Sequence, residues 1–282
     1  MSMSGKLYIV GTPIGNLGDM TYRAVETLRE ADFIAAEDTR VTQKLLLHFD
    51  IKKPLVSYHE HNRKYAGEGI IERISAGETC AVVTDAGMPC ISDPGEDLVR
   101  LCAERGIPIE VVPGPSAVIS ALAVSGLDTS KFVFEGFPST APNSRKEMFA
   151  AASREPRTVI FYEAPHKLVA TLKDLLKFFG DRKISICREL TKLHEEVIRT
   201  TLEEAVELYD DDKRKPRGEY VLVVEGAKPE EIKEITIDDA LSQVEALVES
   251  GMRGADACRE IAKASGFSKS ELYAALLSRK KE

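Results

Sequence analysis

The chain lacks any apolar run approaching the roughly 20 residues that span a bilayer, and Met1 to Lys6 lead into a short apolar segment with no signal-peptide core. The expectation is a cytoplasmic protein with no membrane anchor. Cysteine is sparse: Cys80, Cys90, Cys102, Cys187 and Cys258 are scattered without CxxC spacing, and they read as reduced packing residues. Cys90 alone sits inside a glycine loop, without an obvious base beside it. No His/Cys/Asp spacing suits zinc, so no metal is expected. GxGxxG, GxxxxGK[ST] and GxSxG are also missing, which removes the sequence support for a Rossmann dinucleotide site, a phosphate-binding P-loop and a hydrolase elbow. A net charge of −8 argues against a surface that binds nucleic acid indiscriminately, while leaving room for a local basic site.

What the 282 residues do contain is an alternation of short apolar strands and helical segments. Strands are expected at 7–10, 33–36, 55–58, 80–84 and 107–112, with helices at 22–29, 42–49, 65–75 and 97–104, making an α/β half with a mainly parallel sheet. A second α/β set follows the joint at Ser125, Gly126 and Asp128, with strands near 132–135, 158–162, 184–188, 197–201 and 220–225 and more antiparallel pairing. Helices at 144–153 and 166–179 accompany it, the latter closed by Gly180. Beyond Gly226 the pattern is purely helical, at 237–249, 255–264 and 269–277. Ser268 and Glu271 form a capping-box pattern after the turn at 265–268, giving a helix-turn-helix outline. Residues 251–281 carry seven cations against three anions, opposite in sign to the chain as a whole. A solvated cap and a nucleic-acid docking segment both fit that bias.

Three loops at strand ends carry the chemistry: GTPIGNLGD (11–19), TDAGMPCISDPG (84–95) and PGPSA (113–117). Strand, glycine-rich loop, helix is how an α/β sheet offers backbone donors to a small ligand, and three together imply a shared pocket. Pro13 stiffens the first loop, and Gly87 and Gly114 allow close backbone approach. Ser92, Asp93 and Pro94 resemble a helix start, so Asp93 is expected to be a cap, whereas Asp85 has no such structural role. FYEAPHK (161–167) adds Glu163 and His166 at the mouth of the second half. EDTR (37–40), YHEHNRK (58–64), RELTK (188–192) and the KRKPRGE run (213–219) contribute cations. Arg40, His59, His61, Arg63, Arg188, Lys192, Arg259, Lys263 and Lys269 are candidate RNA contacts, and Tyr58 is a candidate for stacking a base.

TPIGNL, AAEDTR, SDPG, PGP, EGF, FYE with PH, RELTK and GE together resemble, from end to end, the bacterial family of 16S ribosomal RNA ribose 2′-O-methyltransferases, a branch of the tetrapyrrole methylases. Gly11, Thr84, Met88, Ala164 and Lys167 depart from it, standing where members often carry Pro, Ser, Thr, Ser and Arg. The resemblance implies a two-domain tetrapyrrole methylase-like α/β fold with a small all-α helix-turn-helix-like segment: residues 1–125, 126–232 and 233–282. It implies S-adenosylmethionine held between the α/β domains by Pro13, Asp85, Ala86, Gly87, Ile91, Ser92, Ser116, Ala117, Tyr162 and Glu163. It also implies methylation of a cytidine ribose in the decoding region of 16S rRNA within the small ribosomal subunit, and a homodimer. Asp85, Glu37, Asp38, Glu163 and His166 are the candidates for a general base, among which the sequence does not choose. A tetrapyrrole or other small-molecule methylase and a non-catalytic ribosome assembly factor are the alternative readings.

Overall fold

A computed structural model describes residues 5–210, 214–228 and 236–279. Three- or four-residue strands form the first sheet: β1 (Leu7–Val10), β2 (Phe33–Ala36), β3 (Leu55–Ser57), β4 (Cys80–Val83) and β5 (Ile109–Val112), the central β1, β2 and β4 buried and the two edge strands partly exposed. Their order is β3-β2-β4-β1-β5 and every pairing is parallel. Helices α1 (Tyr22–Glu30), α2 (Thr39–His48), α3 (Arg63–Ser75) and α4 (Glu96–Glu104) connect the strands. Because β4, β1 and β5 are neighbours, the three glycine loops leave the carboxyl edge of the sheet side by side. Two apolar layers, one built on Leu7, Phe33, Ile70 and Leu98 and the other on Val10, Leu28, Ile34 and Leu46, cover its two faces.

Helix α5 (Ala117–Ser125) follows, ending at Gly126 in the left-handed conformation. The second sheet has the order β6-β7-β10-β8-β9, from β6 (Phe132–Gly136), β7 (Thr158–Glu163), β8 (Lys183–Arg188), β9 (Glu196–Thr201) and β10 (Tyr220–Val224). Only β6 and β7 are parallel; the other three pairings are antiparallel. Helices α6 (Pro142–Ala152), α7 (Leu168–Phe179) and α8 (Leu202–Asp210) pack on it around Phe149, Phe161, Leu172 and Leu222. Helix α7 stops at Gly180, whose φ of 72° is one that residues with side chains rarely adopt. Helices α5 and α8 are not anticipated by the patterns above; α5 lacks a polar face, so its apolar run carries no helical period.

The chain divides into two compact units, Met1–Ala227 and Lys228–Glu282, and both sheets belong to the first. The second contains α9 (Ile237–Glu249), α10 (Gly254–Ser265) and α11 (Lys269–Arg279), closed over Leu241, Val244, Cys258, Leu272 and Leu276. Gly266, at φ 76°, turns α10 towards α11, and the Ser268–Glu271 capping box is made reciprocally at 2.7 and 3.2 Å. Lys213, Lys280 and Lys281 lie outside the described residues, as does the side chain of Lys263. Among the described residues, no helix is long and apolar enough to cross a membrane and no metal-binding cluster occurs.

Candidate active site

The three glycine loops touch. Thr12 and Gly87 form a two-way backbone bridge, with N–H to O distances of 2.9 and 3.2 Å, tying the first loop to the second. The first and third cross at Gly11 and Gly114, where a Cβ on Gly114 would stand 2.9 Å from the Gly11 backbone. Any side chain there would force the loops apart, which is the physical reason for glycine in both.

Between these loops and the second sheet lies a cavity of about 430 Å³, within the range of roughly 300–1,000 Å³ typical of small-molecule sites. Nine of the ten residues expected to hold the cofactor line it: Asp85, Ala86, Gly87, Ile91, Ser92, Ser116, Ala117, Tyr162 and Glu163. Pro13, the tenth, instead lines an adjoining cavity of about 370 Å³. Ser116 is the N-cap residue of α5 without a side-chain cap bond, so N–H groups of the first turn face the cavity, the one at Val118 donating to the Tyr162 hydroxyl. Tyr162 packs edge-on to Phe134, with centroids 4.8 Å apart, and Phe137 leans over it at 5.3 Å while remaining 58 % exposed. Phe137 is thus an aromatic lid on the cavity, a role its EGF motif did not disclose.

The carboxylates differ sharply. Asp38 caps α2, accepting from the Arg40 N–H at 2.8 Å, and pairs with the Arg40 guanidinium at 2.6 Å; these bonds hold it down at about 2. Glu163 is 3 % exposed; it accepts from Ala164 N–H at 2.8 Å and from the Thr171 hydroxyl, which itself accepts from Arg145 at 2.8 Å. Both its oxygens are therefore engaged in fixing the β7–α7 corner. His166 is exposed in the 3₁₀ turn Pro165–Lys167 and does not line the cavity. Glu37 accepts from the Thr84 hydroxyl at 2.6 Å. Asp85 accepts from Asp38 N–H at 3.1 Å, and partial desolvation, aided by Glu37 and Asp38, raises its pKa.

Asp93 is not the cap that its Ser-Asp-Pro context suggests. Cys90, Ser92 and Gly95 have φ of 72°, 61° and 136°, and Cys90 N–H reaches back to the Pro94 carbonyl at 3.4 Å. The chain curls once more before α4 begins after Gly95, and this carries Asp93 into the cavity wall beside Thr84. Burial, then the Glu37 charge, pushes its carboxyl up to about 6. Non-glycine residues held at positive φ mark a backbone constrained by its surroundings, and such positions concentrate at functional sites. Burial pushes the Cys90 thiol up to about 11, so it is not a thiolate at neutral pH.

The candidate RNA contacts fall in separate places. Arg40 opens α2; His59, His61 and Arg63 lie before and in α3, with Arg63 3.3 Å from Asp97; Arg188 and Lys192 flank the end of β8. Lys192 holds Glu189 at 2.8 Å and Glu219 at 2.7 Å. Arg259, 3.3 Å from Asp256, and Lys269 belong to the helical unit. Tyr58 is only 2 % exposed and packs in the first core, so it has no ring face to offer a base.

Residues 6–206 match the family model for tetrapyrrole (corrin/porphyrin) methylases. The chain belongs to the tetrapyrrole methylase family. Its relatives include "Ribosomal RNA small subunit methyltransferase I" of Synechocystis sp., 46 % identical over 95 % of this chain and 96 % of that one. The protein of the same name from Thermotoga maritima is 50 % identical over 79 % of this chain and 99 % of its own. Among solved structures, cobalt precorrin-4 methyltransferase superposes with a TM-score of 0.58 at 19 % identity, covering 78 % of this chain and 94 % of that one. Uroporphyrin-III C-methyltransferase of Thermus thermophilus, complexed with S-adenosylhomocysteine, gives 0.55 at 21 %, covering 78 % and 97 %. These two share the fold. Family membership makes the chain a methyltransferase with S-adenosylmethionine as methyl donor. The cavity suits that molecule: an apolar and aromatic wall from Ile14, Met88, Tyr162 and Phe137, helix N–H groups for a carboxylate, and carboxylates for an ammonium and a sulfonium.

Proposed function

We propose that the chain methylates the ribose 2′-oxygen of a cytidine in the decoding region of 16S rRNA in the small ribosomal subunit, within the cytoplasm. The observation that carries this reading is the identity of 42–46 %, over 95–97 % of the chain, to relatives named for small-subunit ribosomal RNA methylation. The basic bias of residues 251–281 supports RNA over a small tetrapyrrole acceptor.

The donor, when bound, supplies a methyl group already activated by positive sulfur. What the chain adds is position and a proton acceptor. Nine cavity residues fix the donor's place, and the aromatic pair Tyr162 and Phe137 excludes water from one side. Of the five candidate bases, Asp38 is ion-paired, Glu163 is engaged on both oxygens, Glu37 holds Thr84 and His166 is off the cavity. Asp85 is left, on a wall common to both adjoining cavities, with its pKa raised. Its carboxylate takes the hydroxyl proton as the oxygen–methyl bond forms, a contribution of about 10²–10⁴-fold.

The α/β part is proposed to form a homodimer through α5, whose Ile119, Ala123 and Val124 are exposed with Ser120 as the polar residue among them, close in sequence to exposed Val111 at the sheet edge. The helical unit is proposed to dock on RNA. Labelled S-adenosylmethionine, supplied with purified small subunits lacking the modification or with a tetrapyrrole precursor, tests the reading. Label in a 2′-O-methylcytidine of 16S rRNA is expected; label only in the tetrapyrrole, or in neither, overturns it.

A further inference from the structure

Two cavities share three or more lining residues with the cofactor cavity, while a third, of about 730 Å³, meets it only at Tyr220 and holds none of the candidate bases. Because methyl transfer requires the reacting atoms within about 3–3.5 Å, the acceptor enters through one of the first two. One, of about 310 Å³, shares Glu37, Ser92 and Asp93 with the cofactor cavity and is otherwise walled by Glu60, Glu96 and Asp97 against a single cation, Arg63. That wall repels a phosphodiester chain. The other, of about 370 Å³, shares Ile14, Thr84, Asp85, Ala86 and Glu219 with the cofactor cavity.

This second cavity has a different chemistry. Pro13 and Leu17 from the first loop face Val41 and Leu45 of α2 across it, and Leu17 and Val41 are 44 % and 39 % exposed despite being apolar. Residues 41, 44 and 45 share one helical face, so Lys44 stands at the mouth beside that apolar stripe. Lys44 is exposed and makes no ion pair among the described residues. Lys192 closes the far side, packed so tightly over Gly15 that a Cβ there would lie 2.4 Å from its Cγ, and it neutralises Glu219 at 2.7 Å. An apolar slot flanked by an unpaired cation fits a flat, uncharged ring joined to a phosphate.

We propose that the cavity between the 13–17 loop and α2 is the acceptor-nucleoside site, taking the base of an unpaired ribonucleotide between Leu17 and the Val41/Leu45 stripe while Lys44 meets an adjacent phosphate. The ribose then lies against Asp85 and Ala86, the wall common to both cavities. The inference rests on the reading of the chain as an RNA methyltransferase and deepens it by naming the place where the substrate binds.

The test uses the full chain with unmodified small subunits, reading kcat and KM alongside calorimetric affinity for S-adenosylhomocysteine. Val41→Trp fills the slot and Lys44→Glu reverses the charge at its mouth; Glu60→Trp fills the rival, acidic cavity. Val41→Trp is expected to lower kcat/KM at least tenfold, and Lys44→Glu to raise KM about five- to twentyfold with kcat retained. Both keep S-adenosylhomocysteine affinity within about twofold of wild type, which also reports an intact fold. Glu60→Trp leaves the kinetics at wild-type values. Wild-type kinetics in Val41→Trp, or loss of transfer in Glu60→Trp alone, overturns the assignment while the RNA reading stands. If the wild-type protein itself leaves the ribosomal RNA unlabelled, the parent reading fails, and the site falls with it.

Discussion

Asp93→Asn is expected to stabilise the protein above neutral pH and to do so less in mild acid. The Asp93 carboxyl rises from 3.8 to about 6 because burial and the Glu37 charge disfavour its ionised form. At roughly 1.36 kcal/mol per tenfold change in proton affinity, the fold opposes the carboxylate by about 3 kcal/mol once it is fully ionised. Asp93 is half-buried, and solvent screening brings the usable figure to about 1–2 kcal/mol. The sign follows from proton counting. Between about pH 4 and pH 6 the native state holds more protons than the unfolded chain, so stability declines as pH rises through that window and the penalty is constant above it. Asn is isosteric and carries no charge, so it removes the penalty without opening a cavity. Thermal unfolding at pH 8 is expected to shift upward by about 2–8 °C, taking about 2–4 °C per kcal/mol for a chain of this order of size. At pH 5 the gain falls to about half, and by pH 4 to about a fifth. Equal gains at pH 5 and pH 8, or a loss at pH 8, would refute the buried-carboxyl account.

Asp85→Ala is expected to abolish measurable methylation and to weaken cofactor binding while the circular dichroism spectrum stays native; unchanged S-adenosylhomocysteine affinity would remove Asp85 from the cofactor site. Gly114→Ala pushes a methyl group against the Gly11 backbone at 2.9 Å. Its expected effect is a loss of about 2 kcal/mol or more of stability, together with weaker S-adenosylhomocysteine binding, measured by denaturation and calorimetry. Phe137→Ala removes an exposed aromatic lid, so cofactor affinity is expected to fall about three- to tenfold with no change in melting temperature. Ile119→Glu places a charge on the exposed, mainly apolar face of α5 and is expected to convert a dimer to a monomer in sedimentation analysis.

The fold was legible wherever a segment had one buried face or was buried throughout. Strands such as Leu7–Val10 and Phe33–Ala36 show as short apolar runs, and α9 and α10 show a helical period because their outer faces are polar. Helix α5 was not legible, since AVISALAVS has no polar side to set a period. Its apolar outer face, the same property that hides it from a periodicity reading, is what recommends it as a contact between copies. Helix α8 begins directly after β9 at Leu202, with no breaker between them to signal the change.

The candidate site divides along a similar line. The glycine loops announce a pocket because their residue types are required locally, by crossing backbones at Gly11 and Gly114 and by a turn at Gly87. Roles that depend on distant partners leave no such mark. Tyr58 has the sequence context of an exposed stacking ring, yet α3 and α4 cover it; its pKa, pushed up to about 12 chiefly by desolvation, is the electrostatic trace of that burial. Asp93 shows the same point in reverse. Ser-Asp-Pro is a sound local prescription for a helix cap, and it fails because positive φ at Cys90, Ser92 and Gly95 delays α4 to Glu96. A loop that spends two non-glycine residues in the left-handed region instead of capping its helix is held there by its surroundings, and here they are the wall of the cofactor cavity. The local rule therefore breaks in a stretch, Ile91 to Asp93, that lines the cavity, which is where constraint by function outweighs local preference.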